Sequence, residues 1–191
     1  MVTTLSDKKL SPVFGTLAFV GAILAYFYQD AVSNGVKITV RRSMSCTAKR
    51  AFQAVSDFDV MPKISSDILK YDFVDDPPMH LNMRFSETRK MGSSDVLVTN
   101  LQVTEYDNND KSPHARMVAD THGTIWDTTF DVVRNNSSGD QEVILEIAMH
   151  ARAHQLMPKL LNPIMQVLFR FGLNSHIDQV KIWCEKEQQE K

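Results

Sequence analysis

Val36, Ile38 and Val40 alternate with Lys37, Thr39 and Arg41, and this period of two predicts a strand with one buried face. The rhythm then changes. Ser45 or Thr47 can cap a helix running through Asp57, whose apolar side is Ala48, Ala51, Phe52 and Val55. Pro62 begins or interrupts a second short helix. About eighty β-rich residues follow. Residues 68–74 form one candidate strand, and Met79, Leu81, Met83 and Phe85 alternate strictly enough to predict another. Gly92-Ser93-Ser94-Asp95 turns the chain into residues 96–106, and 108–113 (NNDKSP) turns it again into 115–121. Residues 123–133 (GTIWDTTFDVV) place Trp126, Thr128, Phe130 and Val132 on one face, with Asp127, Thr129 and Asp131 on the other. After a polar turn at 135–140 (NNSSGD), Val143, Leu145, Ile147, Met149 and Ala151 share the inner face of a last strand over 142–153.

From Leu156 onward the period is helical. Leu160, Leu161, Ile164, Met165, Leu168 and Phe171 make a wide apolar face, continued by Ile177, Val180 and Trp183. The order is strand, two short helices, about six antiparallel strands with hairpin-length turns, then one long helix. It predicts an α+β helix-grip fold, a curved antiparallel sheet wrapped around the C-terminal helix, because that arrangement buries both apolar faces.

The N-terminus breaks this pattern. Residues 12–28 (PVFGTLAFVGAILAYFY) carry no charge, and a run of this length meets the short limit of about 17 residues for a membrane span. Tyr26 and Tyr28 resemble an interfacial aromatic belt. A cleaved signal peptide ending near Ala31-Val32-Ser33 is the competing reading, but the apolar run is long for one. The expected organisation is a tail at 1–11, a single-pass membrane anchor at 12–28, a linker at 29–35, a domain at 36–187 and a polar tail at 188–191. Lys8 and Lys9 precede the run and Lys37, Arg41 and Arg42 follow it, so flanking charge does not orient it.

The 191 residues are 43% hydrophobic and 23% charged with a formal net charge of −2, ordinary for a globular chain. No basic stripe or nucleic-acid motif is present, which argues against a nucleic-acid partner. Cys46 and Cys184 lie in no CxxC pair and read as buried thiols, with a disulfide as the alternative. His150, Arg152 and His154 project from the outer side of the last strand, spaced too widely to share a metal. No nucleophile motif, zinc motif or phosphate-binding glycine loop occurs, so no cofactor or metal is expected.

Five short motifs in order carry a resemblance. They are residues 47–57 (TAKRAFQAVSD) with Met61-Pro62-Lys63-Ile64, where Met61 stands for the usual Trp of a "WP-x-I" bend; 83–92 (MRFSETRKMG); 103–106 (VTEY); GTIWDTTFDV; and 173–185 (LNSHIDQVKIWCE). Over residues 36–187 the chain resembles the SRPBCC superfamily, the START-like group that includes polyketide cyclase/dehydrase and coenzyme Q-binding proteins. The resemblance implies the same helix-grip fold and a cavity between sheet and helix that holds a hydrophobic ligand. Met83, Phe85, Met117, Trp126, Thr128, Phe130, Leu145, Met149, Leu161, Met165 and Leu168 are the expected lining. Met79 and Met157 are further methionines that could face the same space.

The expected function is membrane-anchored binding of a lipid, sterol or isoprenoid quinone, with a hydrophobic small molecule and the membrane as partners. A polyketide cyclase or aromatase using the same cavity is one alternative, in which Arg84, Glu87, Arg89 and Trp126 would be the groups to inspect. Glu87 and Arg89 read as a surface pair at the sheet rim. A membrane-tethered assembly protein with its core filled by methionines is the other. Val167 and Phe169 fall off the main stripe of the long helix, so residues 164–171 read as buried on two sides or as touching the membrane.

Overall fold

The structure, a computed structural model, describes residues 19–22, 25, 28–29, 34–91, 95–134 and 142–186. Strand β1 (Val36–Ser45) leads into helices α1 (Ala48–Ser56) and α2 (Met61–Ile64). Strands β2 (Ile68–Phe73), β3 (Arg84–Met91), β4 (Asp95–Asp107), β5 (His114–Thr121), β6 (Thr124–Arg134) and β7 (Glu142–Ala153) follow, and helix α3 (Leu156–Lys186) closes the fold. The seven strands form one antiparallel sheet in the order β1-β7-β6-β5-β4-β3-β2. This is the expected helix-grip fold.

Local chemistry explains the elements. Thr47 is extended and its hydroxyl accepts from the Arg50 amide, capping α1. The helix then buries Ala48, Ala51, Phe52 and Val55. Alternation holds along β1, where Val36, Ile38 and Val40 are buried, and along β7, where Val143, Leu145, Ile147, Met149 and Ala151 are buried. Gly123 takes φ +73° in the β5–β6 turn, a region open to glycine without steric penalty. Its carbonyl accepts from the His154 and Gln155 amides, which joins this turn to the start of α3.

Three expectations need correcting. Residues 79–83 are not a strand: Asn82 adopts φ +66°, Leu81 is exposed, and β3 begins at Arg84. Met79 and Met83 are nonetheless buried in the core. Cys46 and Cys184 are not thiols; they form a disulfide with Cα atoms 6.0 Å apart, closing a sequence separation of 138. The turns at 92–94 and 135–140 lie outside the described residues, as does most of the 12–28 segment. Among the described residues no helix is long and apolar enough to cross a membrane.

The third correction concerns α3. Its inward row is Asn162, Phe169, Leu173, His176, Ile177, Val180 and Cys184, buried or half-buried. The wide apolar stripe expected to face the sheet faces outward instead. Leu156 and Met157 are each 71% exposed, Phe171 is 73% exposed, and Leu160, Leu161 and Ile164 are exposed with them. Val167 and Leu168 complete the outward set. At ~100° per residue these eight positions fall within an arc of about 140°. The helix carries apolar residues on two sides, so period alone selects the wider side and not the one that meets the sheet.

The carboxyl half of α3 is clamped to the sheet. Arg42 on β1 donates to Asp178 (2.7 Å) and to Asn174 (3.1 Å), and the Ser45 amide donates to Glu185. Arg50 on α1 donates to the Trp183 and Cys184 carbonyls and stacks 4.1 Å from the Trp183 ring centroid. With the disulfide, these contacts fix the helix across β1 and α1. The space beneath its middle is left open.

Candidate functional site

A cavity of about 550 Å³ lies between the concave sheet face and α3. Inward side chains of five consecutive strands build its wall: Phe85 on β3, Leu97, Thr99 and Leu101 on β4, Met117 on β5, Trp126, Thr128 and Phe130 on β6, and Ile147 and Met149 on β7. Val55 and Met61 close one side, and Phe169, Gly172, Leu173 and His176 of α3 form the roof. Trp126 and Phe169 meet edge to face, ring centroids 4.7 Å apart, across the sheet–helix gap. Among the described residues, neither the Trp126 indole N–H nor the Thr128 hydroxyl has a hydrogen-bond partner. Both belong to the wall, so each can serve a molecule held in the cavity.

Six of the eleven expected lining residues meet here: Phe85, Met117, Trp126, Thr128, Phe130 and Met149. Met83 and Leu145 are fully buried in the core outside the wall. Leu161 and Leu168 point to solvent, and Met165 sits half-buried at the edge of the outward face, because the α3 stripe is turned away from the sheet. Met79 is buried elsewhere and Met157 is exposed. The methionines therefore do not fill the sheet–helix space.

One end of the cavity is polar, and sequence reasoning placed its residues on the surface. Glu87 and Arg89 share alternation with Phe85, so all three face inward from β3; that shared parity was the available signal. The Arg89 guanidinium is held by Glu87 through Nε–Oε1 (2.5 Å) and Nη2–Oε2 (3.1 Å), and by Asp67 through Nη1–Oδ2 (2.8 Å). Tyr71 donates its hydroxyl to Glu87 Oε2 at 3.2 Å. Burial raises the Tyr71 pKa above the usual tyrosine range, and the Glu87 charge adds to it, so the phenol keeps its proton. Burial pulls the Arg89 pKa down, but the hydrogen bond and charge of Glu87, joined by Asp67, more than reverse this. The guanidinium stays charged with each of its nitrogens engaged, and two carboxylates against one cation leave one excess negative charge.

His176 completes this end from the α3 side. Its Nδ1 lies 2.9 Å from the Ser65 hydroxyl. Burial, with help from the Arg89 charge, lowers its pKa to about 4, so the imidazole is neutral near pH 7. Nε2 has no partner among the described residues. Helical spacing with Leu173, Ile177 and Val180 was the signal that could have placed His176 inward.

The remaining candidates lie outside the cavity. Arg84 pairs with Asp75 on the exposed side of β3. His150 on the outer face of β7 approaches the Asn34 carbonyl, and His154, just past the end of β7, approaches Asp120. Glu105, Arg116, Asp127, His114 and Asp131 form an ion-pair ladder on the outer faces of β4, β5 and β6. Such exposed pairs contribute little to stability. Among the described residues no group of three or more His, Cys, Asp or Glu side chains could hold a metal ion.

No protein-family model matches the sequence, and no curated protein matches it. Solved structures do match in shape. A START superfamily protein from Mycobacterium smegmatis superposes with a TM-score of 0.60 at 14% identity, covering 78% of this chain and 97% of that one. Norcoclaurine synthase from Thalictrum flavum, solved with dopamine and hydroxybenzaldehyde, gives 0.56 at 12% identity over 77% of this chain and 84% of that one. Ara h 8.0201 gives 0.54 at 8% identity over 78% and 96%. At these identities the likeness shows the helix-grip fold alone.

Proposed function

We propose that the protein binds one hydrophobic small molecule in the sheet–helix cavity, at a membrane to which residues 12–28 tether it. The observation that carries the reading is the cavity itself: about 550 Å³, mostly apolar, with a charged and polar cluster at Asp67, Glu87, Arg89 and His176. This size falls within the roughly 300–1,000 Å³ of small-molecule sites. Enclosure removes the ligand's apolar surface from water at about 25 cal/mol per Å². A lipid, sterol or isoprenoid quinone suits such a wall, and a tether at the bilayer keeps the mouth near the pool of such molecules.

The polar end selects the head group. Arg89 has its nitrogens occupied by Glu87 and Asp67, and Tyr71 donates to Glu87, so these groups offer little to an incoming anion. What remains are carboxylate lone pairs and His176 Nε2 beside one excess negative charge. A hydroxyl, phenol or ammonium head fits there, and a carboxylate or phosphate head is repelled. Binding is favoured over catalysis because His176, with a pKa near 4, is a weak general base at neutral pH. Glu87 is likewise committed to Arg89 and Tyr71.

Displacement of the fluorescent probe N-phenyl-1-naphthylamine by dodecanol, dodecylamine and dodecanoate tests both parts. The alcohol and the amine are expected to displace it at concentrations at least about tenfold below the acid, a difference of ~1.4 kcal/mol. Failure of the probe and of all three competitors to bind would refute the binding function. Tightest binding by the acid would refute only the head-group assignment.

A further inference from the structure

The first half of α3 joins the fold along one side only. Phe169 reaches Trp126 and Asn162 is buried, while the opposite side is bare apolar surface. A contiguous face of this kind on a single chain marks an interaction surface.

Two observations identify what covers it. First, Tyr28, which ends the apolar 12–28 segment, donates its hydroxyl to the Leu160 carbonyl at 3.2 Å. Tyr28 of the segment expected to enter a membrane therefore lies against α3 at Leu160, and Phe19 of the same segment is 67% exposed. Second, residues 156–172 contain Lys159 and Arg170 and no carboxylate. At ~100° per residue both cations fall about 40–60° beyond one edge of the apolar arc. A basic helix with one wide apolar face and cations along its border is suited to lie flat at a phospholipid surface, stems in the apolar layer and charges at the phosphates.

We propose that the outward face of the first half of α3 lies in the headgroup–acyl boundary of a bilayer, as a second membrane contact beside residues 12–28. The contact rests on the reading of the protein as membrane-tethered but not on what the cavity holds. It sets Gly172, a member of the cavity roof, one residue from membrane-embedded Phe171.

The test uses the full chain reconstituted into phosphatidylcholine–phosphatidylglycerol vesicles, with a protease site placed in residues 29–35 and cleaved after reconstitution. The released domain is expected to float with the vesicles. A chain carrying Ile164→Glu, Leu168→Glu and Phe171→Glu is expected to lose at least about tenfold in bound fraction after the same cut. An intact disulfide and unchanged probe binding establish that this variant is folded. Release of the unsubstituted domain, or equal flotation of both, overturns the proposal. A dimer that forms without vesicles and is abolished by the same substitutions would assign the face to a second copy and also overturn it. Alkaline carbonate extraction of the uncut chain reports on residues 12–28 separately.

Discussion

Acidification from about pH 7 to about pH 4.5 should weaken the fold through His176, and the size of the effect can be worked from its surroundings. The side chain is buried against Ser65 and beside Arg89, and its pKa falls from 6.5 to about 4. A histidine whose folded pKa lies below its unfolded value binds its proton first in the unfolded chain. Its neutral form therefore supports the fold fully above pH 6.5, and that support is lost as the pH falls toward 4. Over the interval this amounts to ~2 kcal/mol at 1.36 kcal/mol per pKa unit. Urea unfolding of the parent and of His176→Gln at the two pH values reads it directly. Asp75, Glu105 and Asp127 have carboxyls pulled low by arginine partners, and His114 is pulled up against its burial by Asp131 and Glu105. These groups titrate in both proteins and cancel in the difference. The stability gap between parent and variant should shift by ~2 kcal/mol in the variant's favour on acidification. A gap that stays constant would refute the burial of a neutral imidazole at the cavity's polar end.

Thr128→Phe inserts a ring into the cavity from the middle of β6; it should weaken probe binding by at least about tenfold while the melting temperature, read by circular dichroism, moves only a few degrees. Cys46→Ser opens a loop closed over a separation of 138 residues, and the chain-entropy relation puts the loss at about 5 kcal/mol, measurable by denaturant unfolding with and without reductant. Gly35→Ala combines φ +76° with a Cβ only 2.4 Å from the Ala151 carbonyl oxygen and should cost more than ~1 kcal/mol. Gly172→Ala meets no atom within 4 Å on α3 and should instead stabilise by roughly 1 kcal/mol in the same assay.

The sheet was legible because its inner faces alternate cleanly, as in β1 and β7, and the faces of Trp126 and Thr128 followed from the same parity. Parity also held the answer for Glu87 and Arg89, but charge suggested a surface pair; the added bond from Arg89 to Asp67 is a three-dimensional fact that a single strand does not display. Strict alternation misled at Met79, Leu81 and Met83, where a left-handed Asn82 lets Met79 and Met83 reach the core from a turn that precedes β3. The α3 face was misassigned for a different reason. Hydrophobic period reports where apolar groups cluster but not which solvent they meet, and Leu161 and Leu168 look the same whether protein or lipid covers them. The disulfide was undecided because pairing depends on Cα separation, which two residues 138 apart do not reveal.

The central claim is that the cavity holds one hydrophobic molecule, and native mass spectrometry of the full chain, taken from cells directly into lipid nanodiscs, tests it most directly. The account predicts a single small-molecule adduct per chain, recoverable by organic extraction, bearing a neutral or cationic head and missing from Thr128→Phe. A parent chain that carries no adduct and takes up no member of an added panel of lipids, sterols and quinones would contradict it.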